Sequence, residues 1–237
     1  MNKEEKIRIE KLLSQEGILS RREAKEAIEN GRIRLNGKKL NPGEKIYPYE
    51  KENLEIDKNI LDKKETYLVY KPRGYTSSKD GKKNIFHAFP KLSHLNTVGR
   101  LDKESEGLIL LSNDGLITKA ITGKDHKIEK EYLVTVRENV LPWMIQKMEK
   151  GMVLEDGPTL PTKAKKVSHN QFSITLREGR KHQIRRMANK LHLTVLSLKR
   201  IRIHNLNIGT MLPKNYRKLK KEEVGELRKF AKEKSPS

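Results

Sequence analysis

The apolar residues of this 237-residue chain come in short runs whose spacing switches between two and about 3.6, in no regular order. Phe172, Ile174 and Leu176 alternate with polar neighbours, as do Tyr132, Val134 and Val136 with theirs, which marks strands. Ile184, Met187, Ala188 and Leu191 fall at i, i+3, i+4 and i+7, the stripe of an amphipathic helix. Leu108 to Leu111 is a short continuous apolar run, as in a buried strand. Strands and helices mixed in this irregular way predict an α+β fold with a central, mainly antiparallel sheet. No apolar run approaches the roughly 20 residues of a membrane span.

The surface must be strongly charged, since charged residues (35%) match hydrophobic ones (34%). Lysine and arginine number 52 against 31 acidic residues, a formal net charge of +21. Such a chain repels cations and attracts polyanions, with nucleic acid first and an anionic membrane surface second. With no cysteine, the chain has no disulfides, thiolate metal sites, iron–sulfur clusters or cysteine nucleophiles. The first residues, Met1 to Lys6, have no apolar core and read as no signal peptide, so the chain is expected in the cytoplasm.

The first sixty residues read as a small α/β unit. Ile9, Leu12 and Leu13 predict a short helix ending near Gly17. Ser20-Arg21-Arg22-Glu23 has the S-x-x-E form of a capping box, and its helix stops at Asn30-Gly31. Arg32-Ile33-Arg34-Leu35 then alternates basic and apolar, and Asn36-Gly37 predicts a hairpin turn before Lys38 and Lys39. A helix start bearing two arginines beside a basic hairpin suits phosphate, while a solvated charged face is the ordinary alternative. The string from Ser20 to Lys39 resembles the S4-type RNA-binding domain. By resemblance, Ser20, Arg21, Arg22, Asn36 and Lys38 bind structured RNA, with Arg32, Arg34 and Lys39 beside them. The expected division is residues 7–57 for this domain, a polar linker over 58–65, and a larger domain over 66–234.

In the larger domain several chemistries find no motif. There is no G-x-G triplet, no P-loop and no H-E-x-x-H. The seven histidines are scattered, and only His182 has a suggestive setting. The informative string is Val98 to Gly115, VGRLDKESEGLILLSNDG, where Leu101 anchors a loop and Asp102 projects from it. Alone, Asp102 reads as a turn or capping residue. The whole string, however, resembles the G-R-L-D motif of the RsuA-type family of bacterial ribosomal-RNA pseudouridine synthases. Three further segments agree, in order: LVYKPRGYTSS from Leu68, EKEYLV from Glu129 and REGRKHQIRRM from Arg177. One departure is Tyr70, where relatives commonly carry Asn or His.

The resemblance implies an isomerase that breaks the N1–C1′ bond of uridine, turns the base and rejoins it through C5. No group is imported and no net redox change occurs, so no cofactor or metal is expected. The family's aspartate maps to Asp102, which attacks C1′, stabilises an oxocarbenium-like centre or removes the C2′ proton. Arg185 is expected as its ion-pair partner, with phosphate binding as the alternative, and Tyr132 to stack on the base and help move the C5 proton, with core packing as the alternative. The target base must flip out of its helix or loop. Lys71, Arg73, Arg100, Lys103, Lys181 and Arg186 are expected to hold the flipped strand, Lys71 and Arg73 alternatively ordering their loop. The partner is ribosomal RNA, with the large subunit favoured over the small. No membrane or protein partner is implied, and the chain is read as a monomer. Set against this are a non-catalytic S4-type RNA-binding or ribosome-assembly protein and, more distantly, an RNA-cleaving enzyme.

Overall fold

A computed structural model describes residues 5–62, 64–79, 82–123 and 128–232. The Lys-rich tail and the end of the expected larger domain lie outside these residues. In chain order, the first elements are β1 (Ile7–Arg8), α1 (Ile9–Gln15), α2 (Arg21–Glu29), β2 (Ile33–Leu35), β3 (Lys38–Lys39), β4 (Lys45–Ile46), β5 (Leu54–Ile56) and α3 (Asn59–Asp62). There follow β6 (Thr66–Lys71), α4 (Ile85–Ala88), β7 (Asn96–Val98), β8 (Glu106–Ser112), α5 (Gly115–Thr122), β9 (Lys130–Val136) and α6 (Pro142–Lys150). The rest comprises β10 (Val153–Leu154), β11 (Gly157–Pro158), β12 (Lys163–Ser168), β13 (Gln171–Leu176), α7 (Gln183–Asn189), β14 (Val195–Ile203), β15 (Leu206–Asn207), β16 (Tyr216–Lys218) and α8 (Lys221–Lys232).

These elements gather into two compact units that are not contiguous in sequence. One comprises Met1–Tyr67, Ser112–His126 and Lys218–Ser237; the other comprises Leu68–Leu111 and Lys127–Arg217. In the first unit the Ser20 hydroxyl accepts from the Glu23 amide at 3.3 Å, and the Glu23 carboxylate accepts from the Ser20 amide at 2.7 Å. This reciprocal cap satisfies two amides at the start of α2 that the helix itself leaves unpaired. Ile9, Leu12, Leu13, Leu19, Ala24, Ala27 and Ile28 bury one face of α1 and α2 against Ile33, Leu40 and Ile46. Asn36 and Gly37 take φ of 48° and 76°, the left-handed pair that a two-residue hairpin turn requires. Within the expected polar linker lies the short helix α3, preceded by the Asn59 amide donating to the Asp57 carboxylate at 2.9 Å. Asp114 caps α5 and is buried, with its carboxylate 2.6 Å from Arg228 of α8 and 3.5 Å from Lys64. A buried carboxylate needs such partners to remain charged.

The second unit is built on a nine-stranded mixed sheet with the order β12-β13-β9-β14-β8-β6-β16, to which β15 adds on β14 and β7 on β8. Most of its pairings are antiparallel, while β14 and β8 run parallel. Helices α6 and α7 cover one face, where Met144, Ile145, Met148, Ile184, Met187 and Ala188 pack on Val134, Val136, Phe172 and Ile174. The strand alternation in the sequence is this inward set. Among the described residues no helix is long and apolar enough to cross a membrane.

Candidate active site

Three strands, two loops and the start of α7 in the second unit converge on one cavity. Asp102 lies in the turn between β7 and β8, closed by the Ser105 amide donating to the Asp102 carbonyl at 3.0 Å. Leu101 is buried beneath it, with both its amide and its carbonyl bonded to the Ser77 hydroxyl, at 3.0 and 2.8 Å. The Gly74 amide donates to the Lys103 carbonyl at 2.7 Å, so the Lys71–Gly74 segment braces the far side of the same turn. Asp102 is thus held through its backbone on both sides, leaving its carboxylate to project.

The cavity measures about 470 Å³ and is lined by Asp102, Tyr132, Arg100, Lys181 and His182, among others. It therefore brings together the expected carboxylate and the expected aromatic ring. It does not bring Arg185 onto the carboxylate. The Arg185 guanidinium donates to the Glu104 carbonyl at 3.1 Å, two residues beyond Asp102. The side chain within ion-pair distance of Asp102 is His182, whose Nε2 lies 3.4 Å from Oδ1. His182 stands at the N-cap of α7 with φ of 53°, a left-handed conformation uncommon for a residue with a side chain. The loop before α7 is pinned by Arg180, which bonds the carbonyls of Gly157 and Pro158 and the carboxylate of Glu178.

Lys71 corrects an expectation. It is 0% exposed, and its ammonium donates to the carbonyls of Pro72 at 3.0 Å and Tyr75 at 2.8 Å. It orders its loop and offers no charge to a phosphate. Burial draws its pKa down to about 8, helped by the charge of Arg200 and opposed by those of Asp102 and Glu106. Arg73 is occupied by Glu104 at 3.1 Å and the Leu196 carbonyl. Arg186 is held by both carboxylate oxygens of Asp156, at 2.8 and 2.9 Å, which raises its pKa further. Arg100, Lys103 and Lys181 remain exposed around the cavity. Tyr70 is buried, and its hydroxyl donates to Glu106 at 3.2 Å, where burial and that charge hold its proton above the usual range.

Sequence reasoning missed Arg200. It sits in β14 directly opposite Tyr132 of β9 and is 3% exposed. Its Nε donates to the Leu108 carbonyl at 2.6 Å, and its Nη1 lies 3.4 Å from the Arg100 carbonyl and 3.5 Å from the Tyr132 hydroxyl. The run LKRIRI gives no sign of which cation turns inward, because that depends on pairing with strands far away in the chain. Lys130 also sits on β9, bonded to the Ile128 carbonyl, and burial with the charge of Arg200 draws its pKa to about 8.

In the first unit, Arg21, Arg22, Arg34, Asn36, Lys38 and Lys39 are exposed. Ser20 is committed to the helix cap, and Arg32 to Asp57 at 3.0 Å. Arg21 shares a surface cavity with Arg8, Lys11 and Lys25, three cations that the sequence reading did not single out. Among the described residues no group of three or more His, Asp or Glu side chains could hold a metal ion.

Comparison with known proteins bears on both units. Residues 7–48 match the S4 domain, and residues 65–190 match the family described as RNA pseudouridylate synthase. The chain is 32% identical to ribosomal large subunit pseudouridine synthase B of Bacillus subtilis, over 94% of this chain and 96% of the relative. It is 35% identical to the dual-specificity RNA pseudouridine synthase RluF of Escherichia coli, over 94% of this chain and 79% of that protein. A crystal structure of a pseudouridylate synthase superposes with a TM-score of 0.68 at 28% identity, covering 93% of this chain and 99% of that one. With a match across more than half its length and relatives aligned almost end to end, this chain belongs to the RNA pseudouridylate synthase family, enzymes that isomerise uridine in RNA, and carries an S4 domain ahead of the catalytic region.

Proposed function

We propose that this protein converts specific uridines of ribosomal RNA, in the large subunit, to pseudouridine, with Asp102 acting at the ribose and Tyr132 at the base. The observation that carries the residue assignment is their convergence on one cavity of about 470 Å³, within the size range of small-ligand sites. The RNA target follows from the relatives, one of which is named for the large ribosomal subunit.

The residues suit the reaction. A flipped uridine entering the cavity meets the Asp102 carboxylate, which acts at C1′ or the adjacent C2′ as the glycosidic bond breaks and positive charge develops on the sugar. The ring of Tyr132 gives the released uracil a stacking surface while it turns. Its hydroxyl is a polar group that can move the C5 proton once C5 has joined C1′. Arg185 steadies the Asp102 turn through the Glu104 carbonyl. Arg100, Lys103 and Lys181 supply cations for the phosphates of the flipped strand, and the exposed arginines and lysines of residues 7–57 supply the docking surface. Residues 58–65 join this domain to the catalytic one over 66–234. No cofactor takes part, and the protein works as a monomer in the cytoplasm, where ribosomal RNA is made.

The test is tritium release from ribosomal RNA labelled with 5-tritiated uridine. Wild type should release tritium, and Asp102→Asn should lose at least 1,000-fold, on the order of the loss when a nucleophile or base is removed. Equal release by the two proteins would sink the assignment. A pseudouridine map of the RNA before and after treatment identifies the base.

A further inference from the structure

A buried cation without a carboxylate lies beneath the cavity. Arg200 is 3% exposed, and among the described residues it forms no ion pair. An uncompensated buried guanidinium is costly, so what its charge does achieve needs an explanation. Three geometric facts supply one. Arg200 stands opposite Tyr132 in the antiparallel register of β14 with β9, and opposite Gly107 in the parallel register of β14 with β8. Gly107 has φ of 104°, and a side chain there would put its Cβ 2.7 Å from the Arg200 amide nitrogen, so only glycine lets the two strands approach this closely. The guanidinium is then fixed at one end on the Leu108 carbonyl at 2.6 Å. At the other end, one nitrogen reaches both the Arg100 carbonyl, two residues before Asp102, and the Tyr132 hydroxyl. The guanidinium carbon is 6.0 Å from the centre of the Tyr132 ring.

We infer that Arg200 is a positioning residue for the final proton transfer: it holds the Tyr132 oxygen as a hydrogen-bond acceptor and so aims it, so that this oxygen can take the C5 proton. This rests on the proposed role of Tyr132. A guanidinium only donates hydrogen bonds, so the Tyr132 oxygen must accept from it. The step balances as follows. After C5 has bonded to C1′, C5 still carries its hydrogen and N1 is doubly bonded to C6. The Tyr132 oxygen takes the C5 proton as its own proton passes to water, and the C5–H electron pair forms the C5–C6 double bond. The C6–N1 pair moves to N1, which takes a proton from water. The second bond of Arg200, to the Arg100 carbonyl, keeps Tyr132 in register with Asp102.

The experiment measures single-turnover product formation on ribosomal RNA carrying either ordinary or 5-deuterated uridine. Arg200→Gln should slow turnover on the order of 100-fold, as for removal of a preorganised charge donor. It should also expose a deuterium isotope effect at C5 larger than wild type's, because proton removal becomes the slow step. Arg200→Lys keeps a cation but cannot span both acceptors, so it should fall between the two and also show an enlarged isotope effect. It provides the test if the glutamine variant does not fold. RNA affinity should not change in either variant. A folded variant that is slow with no enlarged isotope effect would assign Arg200 a packing role and overturn the inference. So would a folded variant with wild-type rate. If wild type itself makes no pseudouridine, or Asp102→Asn matches it, the failure belongs to the proposed function and not to Arg200.

Discussion

The imidazole of His182 lies 3.4 Å from the carboxylate of Asp102, while the guanidinium of Arg185 is engaged on the backbone of the same turn. Both members of the His182–Asp102 pair are well exposed, at 49% and 37%, so solvent screens their attraction. His182→Ala should therefore slow single-turnover isomerisation only about two- to fivefold, the equivalent of roughly 0.4–1 kcal/mol. Asp102→Asn should abolish it. A loss in His182→Ala as deep as that of Asp102→Asn would show the imidazole to be part of the chemistry.

Burial of two lysines predicts an alkaline rise in stability. Lys71 and Lys130 titrate near 8 in the folded protein, against 10.5 for an ordinary lysine. Between these values the unfolded chain binds more protons, so the unfolding free energy increases with pH; below about 8 both states are protonated and the contribution is flat. Tyr70 acts in the opposite sense above about 10, where the unfolded phenol ionises and the folded one does not. Urea midpoints should thus climb from pH 8 to 10. Lys130→Met should climb less than wild type. A midpoint that falls steadily over this range would contradict the burial of both ammonium groups.

Two glycines with positive φ should respond differently to alanine. At Gly37 the turn leaves open space, so Gly37→Ala meets only backbone strain, about 1–2 kcal/mol. At Gly107 the new methyl would strike the Arg200 backbone, so strain and overpacking add to about 3 kcal/mol or more. Activity should fall with stability at Gly107 and not at Gly37. Equal urea midpoints for the two variants would mean that β8 and β14 tolerate separation.

Salt dependence separates docking cations from structural ones. Arg21→Ala, Arg22→Ala and Lys38→Ala should each lower the slope of log affinity against log salt by about 0.7–0.9 if each meets a phosphate. Arg186→Ala and Arg32→Ala should lower it less, because Asp156 and Asp57 already hold those charges. Should all five variants shift the slope alike, the ion pairs give way to RNA and this division is wrong.

Local signals in the sequence translated directly into structure. Ser20 and Glu23 form the cap they spell, and Asn36-Gly37 makes the hairpin turn. Of the alternating apolar residues of β9 and β13, Val134, Val136, Phe172, Ile174 and Leu176 are buried and Tyr132 is partly buried. Each of these depends on neighbours within a few positions. The site depends on pairings between distant strands, and there the reading was less complete. A basic residue in the Lys71 segment looked available because nothing nearby in sequence shows it covered. Arg185 looked like the partner of Asp102, yet the turn of α7 directs it to a carbonyl and leaves His182 nearer. Arg200 became visible only once β14 lay between β8 and β9.

The parallel contact of β14 with β8 also sets the order in which the molecule can become an enzyme. Arg200 meets Leu108 across 92 residues of chain, and such long-range pairing forms late. A chain emerging from the ribosome completes the basic hairpin and β5 by residue 56, but the cavity around Asp102 has no third strand until β14 is made. The strands that wall the cavity are therefore complete only once residue 203 has been made, well after the basic hairpin, and synthesis through β14 is itself a checkpoint on when the site around Asp102 can form.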